Sequence, residues 1–340
     1  MATIKQVADM ARVSTATVSY VLNGTGTVTE PVRQRVLEAA AALDYQPSYA
    51  ARSLRTHART LGLVLPALPG YVADPLLAEL LSGISEGAAA RGYYVLLATA
   101  RAEEPDAQLA ARLVRSGRVD GVVLLDLLAD DERAAALRAQ NVPHVCAGQP
   151  AGAGTEASPF VAVDGRQGAL LATRHLLGIG HRRVAMIALP SDLADSEPRQ
   201  QGYAEALEEA GAPFAPELVV EAGRTNADGY AAMQELLGLP EPPDAVLACS
   251  DALALGALHA LRDADVEVGR DVSLVGWDDA PLAAHIHPAL TTLRYDRQAL
   301  GAQLAATLIA VAEHRDDEPR GTLLPMRLVI RKSTRNTRLP

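Results

Sequence analysis

The chain is 340 residues long, 49% hydrophobic, 21% charged and −10 in net charge, a balance that excludes a disordered or membrane-embedded protein and predicts a soluble globular one. That length exceeds one ordinary core and predicts a small module joined to a larger one. The two cysteines, Cys146 and Cys249, have no ligand-spaced neighbours, so no disulfide framework, metal site or other cofactor is expected, and both are expected to be buried.

The opening residues, Met1-Ala2-Thr3-Ile4-Lys5-Gln6, contain no apolar leader, and no later run approaches a membrane span. A cytoplasmic location without a membrane partner is therefore expected. Three short helices follow. Thr3 caps Ile4 to Ala11, Ser14 caps Thr15 to Leu22, and Thr29 with Pro31 opens Val32 to Leu43. Ile4, Val7, Ala8 and Ala11, then Val18, Val21 and Leu22, then Val36, Leu37, Ala40 and Leu43 give each helix one apolar stripe, so the three are expected to bury one another.

Ala8 through Val21 reads as helix, tight turn, helix, and the second helix leads with Ser14, Thr15, Thr17 and Ser19. Small polar groups in that position suit phosphates and base edges in a major groove. The spacing alone is equally compatible with a three-helix head that has no DNA role. Charge placement favours DNA: residues 1–60 carry seven Lys and Arg against four acids, +3, so with a total of −10 the remainder carries −13. A basic module on an acidic body suits a polyanionic partner.

After Pro47, Ser48 to Arg55 form a helix-competent linker. Strand candidates then recur at Leu61 to Pro66, Tyr93 to Thr99, Gly121 to Leu125, His144 to Ala147, Phe160 to Val163, Val184 to Leu189, Leu218 to Glu221, Ala245 to Cys249, Ser273 to Trp277 and Thr322 to Ile330, most of them separated by helical segments. Such alternation predicts an α/β fold of parallel, doubly wound sheets covered by helices. Ten strands exceed one typical open sheet and the pattern restarts near Phe160 to Asp164. Two lobes are therefore expected, with a ligand in the cleft beyond the carboxyl ends of the strands.

Enzyme motifs are missing. Gly178-Ile179-Gly180 lacks the third glycine of a dinucleotide loop, and no phosphate-binding loop, nucleophile elbow or zinc-protease motif occurs. His285 and His287, two apart beside Pro288, have the spacing of a loop rather than a metal pair. No catalytic residue is expected.

Thr3-Ile4-Lys5-Gln6-Val7-Ala8 and Val13-Ser14-Thr15-Ala16-Thr17-Val18-Ser19-Tyr20-Val21-Leu22-Asn23-Gly24 closely resemble the head of the lactose-repressor (LacI) family of bacterial transcriptional regulators. The likeness runs on through Asp44-Tyr45-Gln46-Pro47 and into Ala50-Ala51-Arg52-Ser53-Leu54, which look like that family's hinge helix. The resemblance implies a repressor that binds double-stranded, palindromic operator DNA as a homodimer. It implies a DNA-binding domain at 1–46, a hinge and linker at 47–60, and an effector-binding and dimerisation domain of periplasmic-binding-protein type at 61–340. The DNA-contacting residues would be Thr3, Ser14, Thr15, Ala16, Thr17, Ser19, Tyr20 and Asn23, with Tyr49, Ala50, Arg52, Ser53 and Leu54 in the hinge. Leu54 matches the family's minor-groove wedge, a role that suits an apolar side chain on a basic segment, although packing on the head is the other use open to it. Tyr20 stands where relatives commonly carry Arg, and Tyr cannot make the bidentate guanine contact.

The likeness extends more loosely over 61–332, through Asp74-Pro75-Leu76-Leu77, Gly180 to Ala185, Ser250 to Gly256 and Val275 to Asp279. It implies an effector cleft containing Asp74, Arg199, Ser250 and Asp278. Arg199 and Asp278 would face each other, either as a clamp on ligand hydroxyls or as a plain salt bridge. Asp74-Pro75-Leu76-Leu77 stands where the family often has Asn-Pro-Phe-Phe, and the chain has only two Phe and one Trp. Scarce stacking surface weakens a purine reading and leaves sugars, sugar derivatives or other small polar metabolites. Phe160, Trp277 and Tyr71 are the nearest aromatic candidates for the effector site, with a place in the core or a lid the commoner use of such residues. No apolar heptads follow Arg331-Lys332, so a dimer rather than a coiled-coil tetramer is expected.

Overall fold

A computed structural model describes residues 3–23, 28–43, 58–66, 74–100, 105–150, 158–315 and 319–335. The chain divides into two compact units, Met1–Ala58 and Arg59–Pro340.

The first unit holds α1 (Ile4–Ala11), α2 (Thr15–Asn23) and α3 (Glu30–Ala42). Thr3 closes a reciprocal cap on α1: its hydroxyl accepts from the Gln6 amide and the Gln6 side chain accepts from the Thr3 amide at 2.8 Å. Arg12 then turns the chain in the left-handed region, φ 54°, and Ser14 caps α2 by accepting from the Thr17 amide at 3.1 Å. Thr29 precedes α3 without a side-chain cap bond. Val7, Ala8, Ala11, Val18, Val21, Val36, Ala39 and Ala40 form the core. Leu37 departs from the expected stripe. It is exposed and Ala39 is buried in its place, because Val36, Ala39, Ala40 and Leu43 lie three and four residues apart on one helical face and Leu37 falls outside it.

The second unit has two lobes, each built on a six-stranded sheet. The first contains β1 (Thr60–Leu65), α4 (Pro75–Ala89), β2 (Tyr94–Thr99), α5 (Asp106–Arg115), β3 (Gly121–Leu124), α6 (Glu132–Ala139), β4 (His144–Ala147) and β5 (Phe160–Val163). The second contains α7 (Gly165–Gly178), β6 (Val184–Ala188), α8 (Ser196–Glu209), β7 (Val219–Glu221), α9 (Asn226–Leu237), β8 (Ala245–Ala248), α10 (Asp251–Asp263), β9 (Ser273–Trp277) and β10 (Thr291–Arg294). The chain then returns to the first lobe for α11 (Arg297–Ala312) and β11 (Gly321–Leu324), and ends in the second with β12 (Arg327–Val329).

Strand order is β11-β5-β4-β3-β1-β2 in the first sheet and β12-β10-β9-β8-β6-β7 in the second. All pairings are parallel except β10 with β12. β1 and β8 are buried along their whole length, which accounts for their unbroken apolar runs: strands covered on both faces have no polar side to alternate with. Two differences from the sequence expectation stand out. Thr291–Arg294 is a strand that the pattern did not suggest, and Thr322 to Ile330 is two strands in different lobes, separated at Pro325-Met326. Asp164 marks the first crossing between lobes, where its carboxylate caps α7 through the Gln167 amide. Asp296 does the same for α11 at the second crossing.

Helix pairs in the second lobe approach at glycine. A methyl group on Gly202 of α8 would overlap the Arg166 carbonyl of α7, and one on Gly256 of α10 would overlap the Asn226 carbonyl of α9. Main chain cannot swing aside as a side chain can. Gly202→Ala is therefore expected to lower stability by about 1–3 kcal/mol, measured by urea unfolding, despite the better helix propensity of Ala. An unchanged midpoint would show that the α7–α8 pair has slack.

Candidate functional site

In the first unit, α2 offers one polar face. Ser14, Thr15, Ala16 and Tyr20 are exposed, Thr17 and Ser19 are half-buried, and Val18 and Val21 point into the core. The Ser14 and Thr17 hydroxyls also pair with each other at 2.9 Å, which stiffens the leading turn. Ala16 and Tyr20 lie one turn apart, as do Thr15 and Ser19, so the face that buries Val18 leaves these four directed away from the core. Thr3 is exposed at the start of α1 and Asn23 ends α2. Tyr49, Ala50, Arg52, Ser53 and Leu54 lie outside the described residues, as does Tyr71.

In the second unit, a cleft of about 890 Å³ opens between the lobes at the carboxyl ends of the strands, the general ligand position in open α/β sheets. Its volume is at the upper end of small-molecule sites. Its walls are largely aliphatic, with Leu76, Leu127, Val163, Leu193, Leu255 and Leu282 among them. Asp74, Arg199, Ser250 and Asp278 all line it. Asp74 caps α4 by accepting from the Leu76 amide at 2.9 Å. Ser250 caps α10 through the Leu253 amide at 3.1 Å.

Arg199 is held from three sides. It donates to the Cys249 carbonyl at 2.7 Å, pairs with Asp195 at 3.2 Å, and lies 4.1 Å over the Trp277 ring. Its Nε is buried without a hydrogen-bond partner. Asp278 adopts φ 109°, sterically costly for any residue with a side chain. Its carbonyl and its carboxylate both accept from Arg297, the latter at 3.3 Å. The next residue, Asp279, accepts from Arg331 at 2.6 Å and from Arg294 at 3.4 Å, so with Arg297 three guanidiniums hold the turn that presents Asp278.

Arg199 and Asp278 thus share the cleft, but each has a different ionic partner: Asp195 for the first, Arg297 for the second. Two aromatic expectations need correction. Trp277 is fully buried and does not line the cleft; Gly168 packs under its ring and Arg199 covers it, so it supports a cleft residue instead of meeting a ligand. Phe160 starts β5, whereas Val161, Ala162 and Val163 line the cleft, and its ring packs where a side chain on Gly321 would stand. Phe160 misses the ligand space because it stands at the amino-terminal end of its strand, and Trp277, at the carboxyl end of β9, misses it because Arg199 and α7 enclose its ring. His285 lines the cleft, while the carbonyl of His287 accepts from Arg262.

Residues 3–48 match the family described as bacterial regulatory proteins, lacI family, and residues 173–334 match the periplasmic binding protein-like domain. The HTH-type transcriptional regulator AglR of Rhizobium meliloti (strain 1021) is 37% identical over 335 residues, 97% of this chain and 94% of that protein. The chain belongs to the LacI family. Among solved structures, the transcriptional regulator CelR–cellobiose complex is 35% identical, with a TM-score of 0.75, covering 98% of this chain and 100% of that one. The lac repressor dimer bound to operator and the anti-inducer ONPF is 26% identical, with a TM-score of 0.83, covering 98% and 99%. Among the described residues of this LacI-family regulator, no helix is long and apolar enough to cross a membrane.

Arg297, Tyr295 and Asp251 are among the cleft residues that sequence reasoning missed. Arg297 opens α11 and is almost wholly buried between Asp278, Glu79 at 3.6 Å and the Tyr295 ring at 4.4 Å. A guanidinium at a helix start opposes the helix dipole, and that conflict, beside the capping Asp296, was the signal available. Tyr295 lines the cleft from the second crossing. Asp251 is buried and accepts from the Thr292 hydroxyl at 2.6 Å and from the Ala280 amide at 2.7 Å. It sits so close to Gly276 that a side chain there would collide with its carboxylate.

Burial, followed by the charge of Asp278, pushes the Asp251 carboxyl up to about 7. Burial, opposed by Arg297 and Arg199, pushes Asp278 up to about 6. Both groups start from 3.8, so the folded state binds more protons than the unfolded state between those limits. Their contribution to stability is therefore greatest at low pH and declines as pH rises through that window. Asp251→Asn retains one acceptor for the Ala280 amide, and the Thr292 hydroxyl can turn to accept from the new amide. The variant should gain about 1–3 kcal/mol relative to wild type between pH 5 and pH 8, read from urea unfolding at each pH. A difference that does not move with pH would mean that Asp251 titrates as an ordinary carboxylate.

Proposed function

We propose that this LacI-family regulator is a cytoplasmic repressor, without a catalytic role, that binds a palindromic operator as a homodimer and is switched by a small polar effector, a sugar or sugar derivative. The observation that carries this reading is the presence in one chain of a helix-turn-helix with an exposed polar face and a two-lobed unit whose cleft gathers fixed acceptors and guanidiniums. The relatives support it: one solved structure is a cellobiose complex and another is a repressor dimer on its operator.

In this reading residues 1–46 bind DNA, 47–60 form the hinge, and 61–340 bind effector and dimerise. Thr15, Ala16 and Tyr20 meet base edges, while Thr3, Ser14, Thr17, Ser19 and Asn23 position the head on phosphates and the adjoining bases. Tyr49, Ala50, Arg52, Ser53 and Leu54 act in the minor groove. Asp74, Arg199, Ser250 and Asp278 contact effector. A two-fold axis is required because paired heads read the two halves of a palindrome. The effector acts through its differential affinity for two lobe arrangements.

Selection from a random duplex library is expected to enrich a palindrome with the intact chain, and its binding should weaken steeply with salt through counterion release. A chain beginning at Thr60 should retain no DNA while still forming dimers. Retention of the selected duplex by that shortened chain would overturn the assignment of the head. Arg199→Ala should leave operator binding within a few-fold of wild type and blunt release by the effector; an unchanged effector titration would remove Arg199 from the site.

A further inference from the structure

We infer that the cleft takes an uncharged polyol, which its volume of about 890 Å³ suits to be an oligosaccharide, in preference to a sugar phosphate, sugar acid or nucleotide. This rests on the effector reading above and narrows it. Five carboxylates line the cleft, Asp74, Asp126, Asp195, Asp251 and Asp278, against three guanidiniums, Arg199, Arg224 and Arg297. Each guanidinium is already paired with one of those acids: Arg199 with Asp195 at 3.2 Å, Arg224 with Asp126 at 3.1 Å, and Arg297 with Asp278 at 3.3 Å. Asp74 and Asp251 remain in excess. The chain has only two lysines, Lys5 and Lys332, and neither lines the cleft. Residues 67–73, which lead into Asp74, contain no basic side chain.

A bound anion would have to displace one of these acids or share its partner. Two helix starts at the cleft, the other common kind of anion site, are also taken. The Asp74 carboxylate occupies the first turn of α4, and Asp251 sits in the first turn of α10 beside the capping Ser250. With Asp251 protonated the described lining still has one acid more than base, so the conclusion holds on either side of its titration.

A hydroxyl-rich neutral ligand has the opposite fit. Its O–H groups donate to the carboxylates of Asp74, Asp195 and Asp278, each of which uses one oxygen in the bonds described above. Flat bases are disfavoured on separate grounds. Trp277 has a guanidinium 4.1 Å from its ring and Tyr295 has one 4.4 Å from its ring, so among the described residues neither ring offers that face for stacking. Aliphatic walls accept the C–H faces of a sugar without needing a ring.

The test uses the full chain in thermal unfolding and calorimetry with two sets of probes at matched ionic strength. The neutral set is cellobiose, maltose, lactose and trehalose. The anionic set is trehalose 6-phosphate, glucose 6-phosphate, gluconate, adenosine monophosphate and inorganic phosphate. At least one neutral disaccharide should raise the unfolding temperature in a concentration-dependent way, and every anionic compound should bind at least about tenfold more weakly than that disaccharide. An anionic sugar that binds as well as, or better than, every neutral probe would overturn the neutrality while leaving the sugar reading in place. Silence from both sets would overturn the inference together with the sugar reading beneath it.

Discussion

The two lobes of the body meet at one buried guanidinium. Arg297 belongs by its helix to the first lobe, where α11 packs on α4 and under β3, β4 and β5, yet it reaches the carbonyl and carboxylate of Asp278 at the end of β9 in the second. A charge buried to that degree is strongly destabilising if its partner is removed. Asp278, in turn, is held at a backbone angle that a residue with a side chain rarely adopts. The ion pair and the strained turn each stabilise the other, and the cleft floor takes its shape from both.

Further links between the lobes lie along the cleft rim. The Ala129 amide donates to the Asp192 carbonyl at 2.7 Å, the Ala194 amide donates to the Leu127 carbonyl at 3.0 Å, and Arg224 meets Asp126. These are main-chain bonds and an exposed ion pair, the weak end of the scale, whereas the Arg297 pair is buried. A two-lobed unit with one strong tie near its crossings and weak ties at its rim is suited to opening about the first and parting at the second. That physical asymmetry is what a ligand filling the cleft would act on.

Aromatic side chains serve this site indirectly. Trp277 and Tyr295 each carry an arginine on a face, and cation–π contact in a buried setting adds to the ion pairs that orient each guanidinium. Gly168 makes room for the first ring. The aromatic residues most visible in so aromatic-poor a sequence therefore act as supports for polar groups that line the cleft.

Much of the architecture was legible in the residues themselves. Caps at Thr3 and Ser14, the stripe of Val7, Ala8, Val18 and Val21, and the apolar runs of β1, β6 and β8 are local patterns, set by helix and strand periodicity over a few residues. The likeness of Asp74, Arg199, Ser250 and Asp278 to a family pattern also marked positions at strand ends and helix starts. What the local pattern could not carry was convergence. Whether Thr322 to Ile330 is one strand or two, whether Phe160 and Trp277 face the cleft, and whether Arg297 and Asp251 enter it all depend on three crossings of the chain between sheets. Those crossings bring residues more than two hundred positions apart to one place. Periodicity assigns a side chain to a face of its own element; only packing of the elements decides what that face meets, and here it buried the tryptophan and brought an arginine from the first turn of a helix into the site.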